Sequence, residues 1–238
     1  MTKNPLNQND IYVQELIDTI EPDFIFSNKP IDRLKIIENI GENFKYDKEL
    51  EISKLKKQIN TIENCNLRNN SKNLVMGDGN INSPIMIIGE APGEIENNSG
   101  YSFQGEIGSL LKKMLSAINI EINKVYLTYS INFRPPEDRK PTTQEIKRYS
   151  IFLKEHITII NPKIVILMGA TAMEAVTGLI SKVSSERGKW KEIILKDKTL
   201  PLMVTFNPSY LIRFPENKKY SCFNYCQTSP RGDCSKNP

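Results

Sequence analysis

The residues best equipped for chemistry follow two short apolar runs. After "IMIIG" (85–89) comes "EAPGEIENNSGYSF" (90–103), with carboxylates at Glu90 and Glu96, glycines at Gly89 and Gly93, and a flat aromatic face at Phe103. The glycines permit close backbone approach, and Pro92, after Ala91, stiffens the loop. A rigid loop with backbone donors, a carboxylate and a ring can hold a planar, hydrogen-bonding ring such as a nucleobase. The alternative reading is a tight strand-to-helix turn with solvated acids. The spacing is neither the Walker pattern, whose phosphate lysine is missing, nor G-x-G-x-x-G, so an ordinary nucleotide cradle is not expected.

The second run, "LMVTF" (202–206), leads into "NPSYLIRFP". Asn207 followed by Pro208 is a helix start, an N-cap side chain with proline at the first helical position. Such a start, with Ser209 on its first turn, collects anions. Leu211 and Ile212 beside Arg213 would supply an apolar wedge and a phosphate contact, as needed to unstack a base pair. Between the two runs, "INFRPPEDRKPT" carries Arg134, Arg139 and Lys140, and "SSERGKW" adds Arg187 and Lys189. Each basic cluster alone reads as solvated surface; gathered at one sheet edge, they read as a DNA contact.

These loops need a scaffold that brings them together. From about 74 to 213, strand-length runs at 85–89, 125–129, 163–169 and 202–206 alternate with helical windows at roughly 106–118, 143–160 and 170–177. That alternation predicts an α/β domain with a mostly parallel sheet, helices on both faces, and the ligand at the carboxyl ends of the strands. Residues 1–60, with "DIYVQELIDTI" and "DKELEISKLKKQINTIENC", are expected to form an N-terminal helical extension. The α/β domain then spans 61–219, and 220–238 is expected to be an irregular, disordered tail.

Composition bounds the rest. At 238 residues, 39% hydrophobic and 25% charged, the chain can bury one main core without disulfides or metals. A net charge of +4, from 32 basic and 28 acidic side chains, tolerates a polyanion without requiring one. Cysteines at 65, 222, 226 and 234 make no disulfide framework. The C-x3-C-x7-C spacing of the tail reads as a zinc site short of familiar ligands, or as incidental thiols; the single histidine, His156, lies in a helical pattern. The opening "MTKNPLNQND" has neither an apolar signal core nor a basic leader, and no apolar run reaches the roughly 18–20 residues of a membrane span. A soluble cytoplasmic protein is expected.

Six blocks, "NLVMGDGN", "IMIIGEAPGEIENNSGYSFQGEIGSLLKKML", "VYLTYSINFRPPEDRKPT", "PKIVILMGATAMEAVTG", "RGKW" and "VTFNPSYLIR", resemble in order and spacing the uracil-DNA glycosylase superfamily, most closely its family 4 group. The resemblance spans about 73–213. It implies a three-layer α/β/α sandwich that flips uracil out of DNA and hydrolyses its N-glycosidic bond in base-excision DNA repair. By the same resemblance, Glu90, Glu96 and Asn207 are catalytic. Gly89, Ala91, Phe103 and Tyr129 bind the base, Phe103 by stacking. Arg134, Arg139, Ser209, Leu211 and Arg213 contact DNA. The implied partner is uracil-containing DNA, bound by a monomer without a membrane.

The departures are as specific as the agreement. Asn207 stands where the family's second motif begins with histidine; an amide is a neutral donor to the leaving base. Tyr129 stands where the family has an asparagine, and its bulky ring would cap, narrow or fill the pocket. The family's 4Fe–4S cluster needs four thiolates. Cys65 matches one ligand position, whereas Ile62, Phe133, and Arg148 or Tyr149 occupy the others. Loss of the cluster is expected, with no cofactor in its place. Two functions follow: a glycosylase of reduced or altered activity, or a non-catalytic DNA-binding descendant. A blander reading is the same sandwich with a different small ligand.

Overall fold

The apolar runs lie side by side in the middle of one six-stranded sheet. In this computed structural model the described residues are 47–221, other than 64, 196 and 197. Residues 1–46 of the expected helical extension (1–60) and 222–238 of the expected tail (220–238) lie outside them. The strands are β1 (Gly77–Gly79), β2 (Ile85–Gly89), β3 (Tyr126–Tyr129), β4 (Ile164–Met168), β5 (Trp190–Leu195) and β6 (Lys198–Thr205), in spatial order β1-β3-β2-β4-β6-β5. The four inner strands are parallel, and β1 and β5 add antiparallel edges that the sequence pattern did not mark. Register pairs Gly89 with Tyr129, Ile88 with Leu167, and Met168 with Thr205, so the carboxyl ends of the inner strands are nearly flush.

The period of two in the strands divides the apolar side chains between the faces. Met86 and Ile88 of β2, with Val165 and Leu167 of β4, join one core; Ile87, Ile166 and Met168 join the other. Helices α1 (Lys48–Asn60), α5 (Thr143–Ile160) and α6 (Ala170–Thr177) cover the first face. Helices α4 (Gly105–Ser116) and α8 (Pro208–Arg213) cover the second. The short α2 (Asn66–Asn69), α3 (Glu94–Ser99) and α7 (Val183–Glu186) complete the set among the described residues. The result is the three-layer α/β/α sandwich.

Sequence chemistry fixes the ends of the longest helix. Thr142 accepts from the Glu145 amide while Glu145 accepts from the Thr142 amide, a capping box at the start of α5, and Asn161 ends it in the left-handed conformation. Within α5, Ile146, Tyr149, Leu153 and Ile157 recur at three- and four-residue spacing and face the sheet. Leu55 and Ile59 of α1 are buried in the same core, so the domain takes in the last turns of the stretch read as extension. Each such burial stabilises by about 2 kcal/mol. His156 is enclosed between α5 and β3, its Nε2 2.9 Å from the Tyr126 hydroxyl. Among the described residues, no helix is long and apolar enough to cross a membrane.

Candidate active site

A cavity of about 700 Å³ opens at the carboxyl ends of the inner strands, where an α/β sheet places its ligand. Its lining draws Glu90, Ala91, Glu96, Phe103, Tyr129, Arg139, Asn207, Ser209 and Arg213 into one place, from loops far apart in sequence. Three candidates stand elsewhere. Gly89 lies beneath two rings, Arg134 stands outside the lining, and Leu211 is fully buried in the core under α8. Leu211 therefore cannot act as a wedge in DNA, because its side chain is committed to packing. Its neighbour Ile212 lines the cavity instead.

Glu90 is held through its carbonyl and through both carboxylate oxygens. Its carbonyl accepts from the Ser130 hydroxyl and, at 3.3 Å, from the Ile131 amide. Its carboxylate accepts from Asn207 Nδ2 at 2.8 Å through Oε2 and from the Thr171 amide at 3.1 Å through Oε1. The last bond depends on Gly169, at φ +99°, where an added Cβ would fall 2.6 Å from the Glu90 carboxyl carbon. Asn207 uses its oxygen to cap α8, accepting from the Ser209 amide at 3.1 Å. One N–H of its amide reaches Glu90, and the second is left for another acceptor. The sequence marked Glu90 and Asn207, but not their bond or the part played by Gly169 and Thr171. The available signal was "MGATA", a glycine and small residues after a strand of the same sheet.

Glu96 is 2% exposed and its oxygens are engaged. Oε2 accepts from the amide of Gly93, the N-cap of α3, at 3.1 Å, and Oε1 accepts from the Gln104 amide at 3.0 Å. The Tyr129 hydroxyl donates weakly to Oε1 at 3.4 Å and accepts from the Phe103 amide at 3.0 Å. Burial first, and then the Glu96 carboxylate, push the Tyr129 phenol well above its ordinary pKa, so it remains a donor.

Phe103 does not offer a free face. Its ring is stacked on that of Tyr129, with centroids 4.7 Å apart and planes 19° apart, and both residues are about 95% buried: 4% and 5% exposed. Gly89 makes this possible, since a Cβ there would lie 2.8 Å from both rings. Phe103 itself has φ +50°, a conformation costly for a bulky residue and held here by the hydrogen bond that its backbone N–H donates to the Tyr129 hydroxyl. A planar ring with a hydrogen-bonding edge thus fills the space against Phe103.

The sequence pattern of the uracil DNA glycosylase superfamily matches residues 76–227. The chain belongs to that superfamily. It is 37% identical over 155 residues to a type-4 uracil-DNA glycosylase of Thermotoga maritima, covering 65% of this chain and 79% of that protein. Type-4 uracil-DNA glycosylases of Sulfurisphaera tokodaii and Pyrobaculum aerophilum are 32% and 29% identical over 176 and 170 residues. These cover 71% and 70% of this chain, and 79% and 87% of those proteins.

Superfamily membership raises the question of the iron–sulfur cluster. Cys65 is 3% exposed, with its Sγ 3.1 Å from the Tyr149 hydroxyl, and Phe133 meets Tyr149 edge-on at 6.3 Å between centroids. Ile62 packs against the same core, and Arg148 donates to the Glu63 carbonyl. One thiol, a phenol and apolar side chains do not fit a cluster that takes four thiolates. Among the described residues, no group of three or more His, Cys, Asp or Glu is placed to hold a metal ion.

Both arginines of the basic loop are paired with acids of the loop or of neighbouring helices. Arg134 pairs with Asp138 at 2.7 Å and Glu94 at 3.5 Å, and Arg139 with Glu145 at 2.7 Å. Those hydrogen-bonded carboxylates raise both guanidinium pKa values further. A phosphate contact by either arginine would exchange one anion for another.

Proposed function

We propose that this protein is a DNA repair glycosylase that removes uracil from DNA by hydrolysing the N-glycosidic bond, with activity reduced or altered by Tyr129 and Asn207. The observation that carries the reading is the Glu90 carboxylate, fixed by Asn207 and Thr171 at the wall of a cavity large enough for a base. As the bond between C1′ and the base breaks, its electron pair leaves on the base and positive charge builds on the sugar. Glu90 supplies a preorganised negative charge to that sugar and accepts the proton of the attacking water. The remaining amide N–H of Asn207 donates to the departing base, a weaker contribution than a charged donor would give.

Glu96 and Tyr129 act as positioning residues, since their polar atoms are bonded to the loop itself. Arg139, Ser209 and Arg213 at the cavity hold the DNA strand as a monomeric complex. The domain folds without the cluster, Phe133 and Tyr149 packing about Cys65 in its place.

The stack of Tyr129 on Phe103 favours a second reading, a DNA-binding protein without excision. The two are separated by incubating the full chain with uracil-containing oligonucleotides and scoring abasic sites against Glu90→Ala. Excision above that control supports the enzyme. Binding without excision, unrestored by Asn207→His or Tyr129→Asn, supports the second reading.

A further inference from the structure

Beside the cavity stands a row of rings that the excision chemistry does not use. Phe206, Tyr210 and Phe214 follow one another at intervals of four residues, from the end of β6 along one side of α8. Their centroids are 4.9 Å apart in both steps, with planes at 28° and 39°. The inner ring is buried, at 7% exposure, and the outer ring, Phe214, is 46% exposed. Tyr220, 40% exposed, stands nearby, and the Arg187 guanidinium lies 4.5 Å from its centroid and 5.5 Å from that of Phe206. The next residue before Phe214 is Arg213, which lines the cavity.

The charges here differ from those of the 134–140 loop. Arg134 and Arg139 are paired with carboxylates. Among the described residues, Arg187, Arg213, Lys218 and Lys219 make no ion pair, and Arg187 and Lys219 lie against rings instead. Glu216 is the one acid between Arg213 and Tyr220. The patch thus combines open aromatic faces with positive charge that no acid among the described residues pairs with. An unpaired nucleobase continues an aromatic stack, and its phosphate answers the cation; together they describe a binder of single strands.

We propose that the Phe206–Tyr210–Phe214 row, with Arg187 and Tyr220, is a stacking platform for unpaired bases of single-stranded DNA beside the cavity. The proposal rests on the reading of this protein as one that acts on DNA, and adds the form of DNA. A duplex keeps its bases stacked on one another and offers Phe214 nothing to cover, whereas a single strand lays its nearest base on the ring.

The test is fluorescence anisotropy of the full chain with a short labelled oligonucleotide free of uracil, as a single strand and as a duplex. The expected results are tighter binding of the single strand and a loss of about fivefold or more in that affinity for Phe214→Ala. Phe214→Trp should keep the affinity, and an unchanged melting temperature would separate lost stacking from lost folding. Equal single-strand affinity for wild type and Phe214→Ala overturns the platform while leaving the DNA reading intact; so would a ring surface that serves an apolar protein segment. Absence of binding to either DNA form overturns both.

Discussion

Replacing Tyr129 with asparagine removes the ring stacked on Phe103 and leaves an amide with both donors and an acceptor at the end of β3. If that ring occupies the place of a base, Tyr129→Asn raises the kcat/KM for uracil excision by about tenfold or more, equivalent to about 1.4 kcal/mol of barrier. Tyr129→Phe keeps the ring and loses the bonds to Glu96 and Phe103, so it opens nothing. A fall in kcat/KM for Tyr129→Asn would mean that the tyrosine serves the substrate. The sequence marked Glu90 and Asn207 because each directly follows a strand, and Phe103 on the loop beyond Glu90; the structure brings the three to one cavity. The sequence could not carry their contacts: Glu90 and Asn207 are 117 residues apart, and the bond depends on the order of the strands between them. Leu211 was misread because a wedge and a core residue look alike in "YLIR"; only packing under α8 decides which face is buried.

At the scale of elements, the inner strands were legible because both faces are covered, which writes continuous apolar runs such as "IVILM". The edges were not. β1 is "GDG", three residues with no apolar pattern, and β5, "WKEIIL", buries only Ile193 and Leu195 while Ile194 is 79% exposed. The packing between α5 and the loops around Cys65 and Phe133 leads to a prediction about composition. With Tyr149 and Phe133 beside the lone described thiol, the purified protein should contain no stoichiometric iron, and a chelator should leave its melting temperature unchanged. Iron at about four atoms per chain, lost together with stability on chelation, would contradict this.

For the whole molecule, the buried histidine couples folding to pH. Complete burial pushes His156 down from 6.5 to about 4, so its neutral form is the one that fits beside Tyr126. Between these values the unfolded chain binds the proton and the folded chain does not. Stability is therefore full above about pH 6.5 and falls as the pH drops toward 4, by about 3 kcal/mol in all. Urea midpoints across this range should fall with acidity in the wild type, and the slope should flatten in His156→Gln, which can still bond to the Tyr126 hydroxyl. An unchanged slope in the variant would assign the acid sensitivity elsewhere. The whole-molecule claim of function rests on the cavity at the carboxyl ends of β2, β3, β4 and β6. Release of free uracil from a uracil-containing single strand, wild type beside Glu90→Ala under excess enzyme, tests it most directly. The account predicts that the wild type leaves abasic sites and that Glu90→Ala does so at least about a hundredfold more slowly. Equal rates, or no release by the wild type, would contradict it.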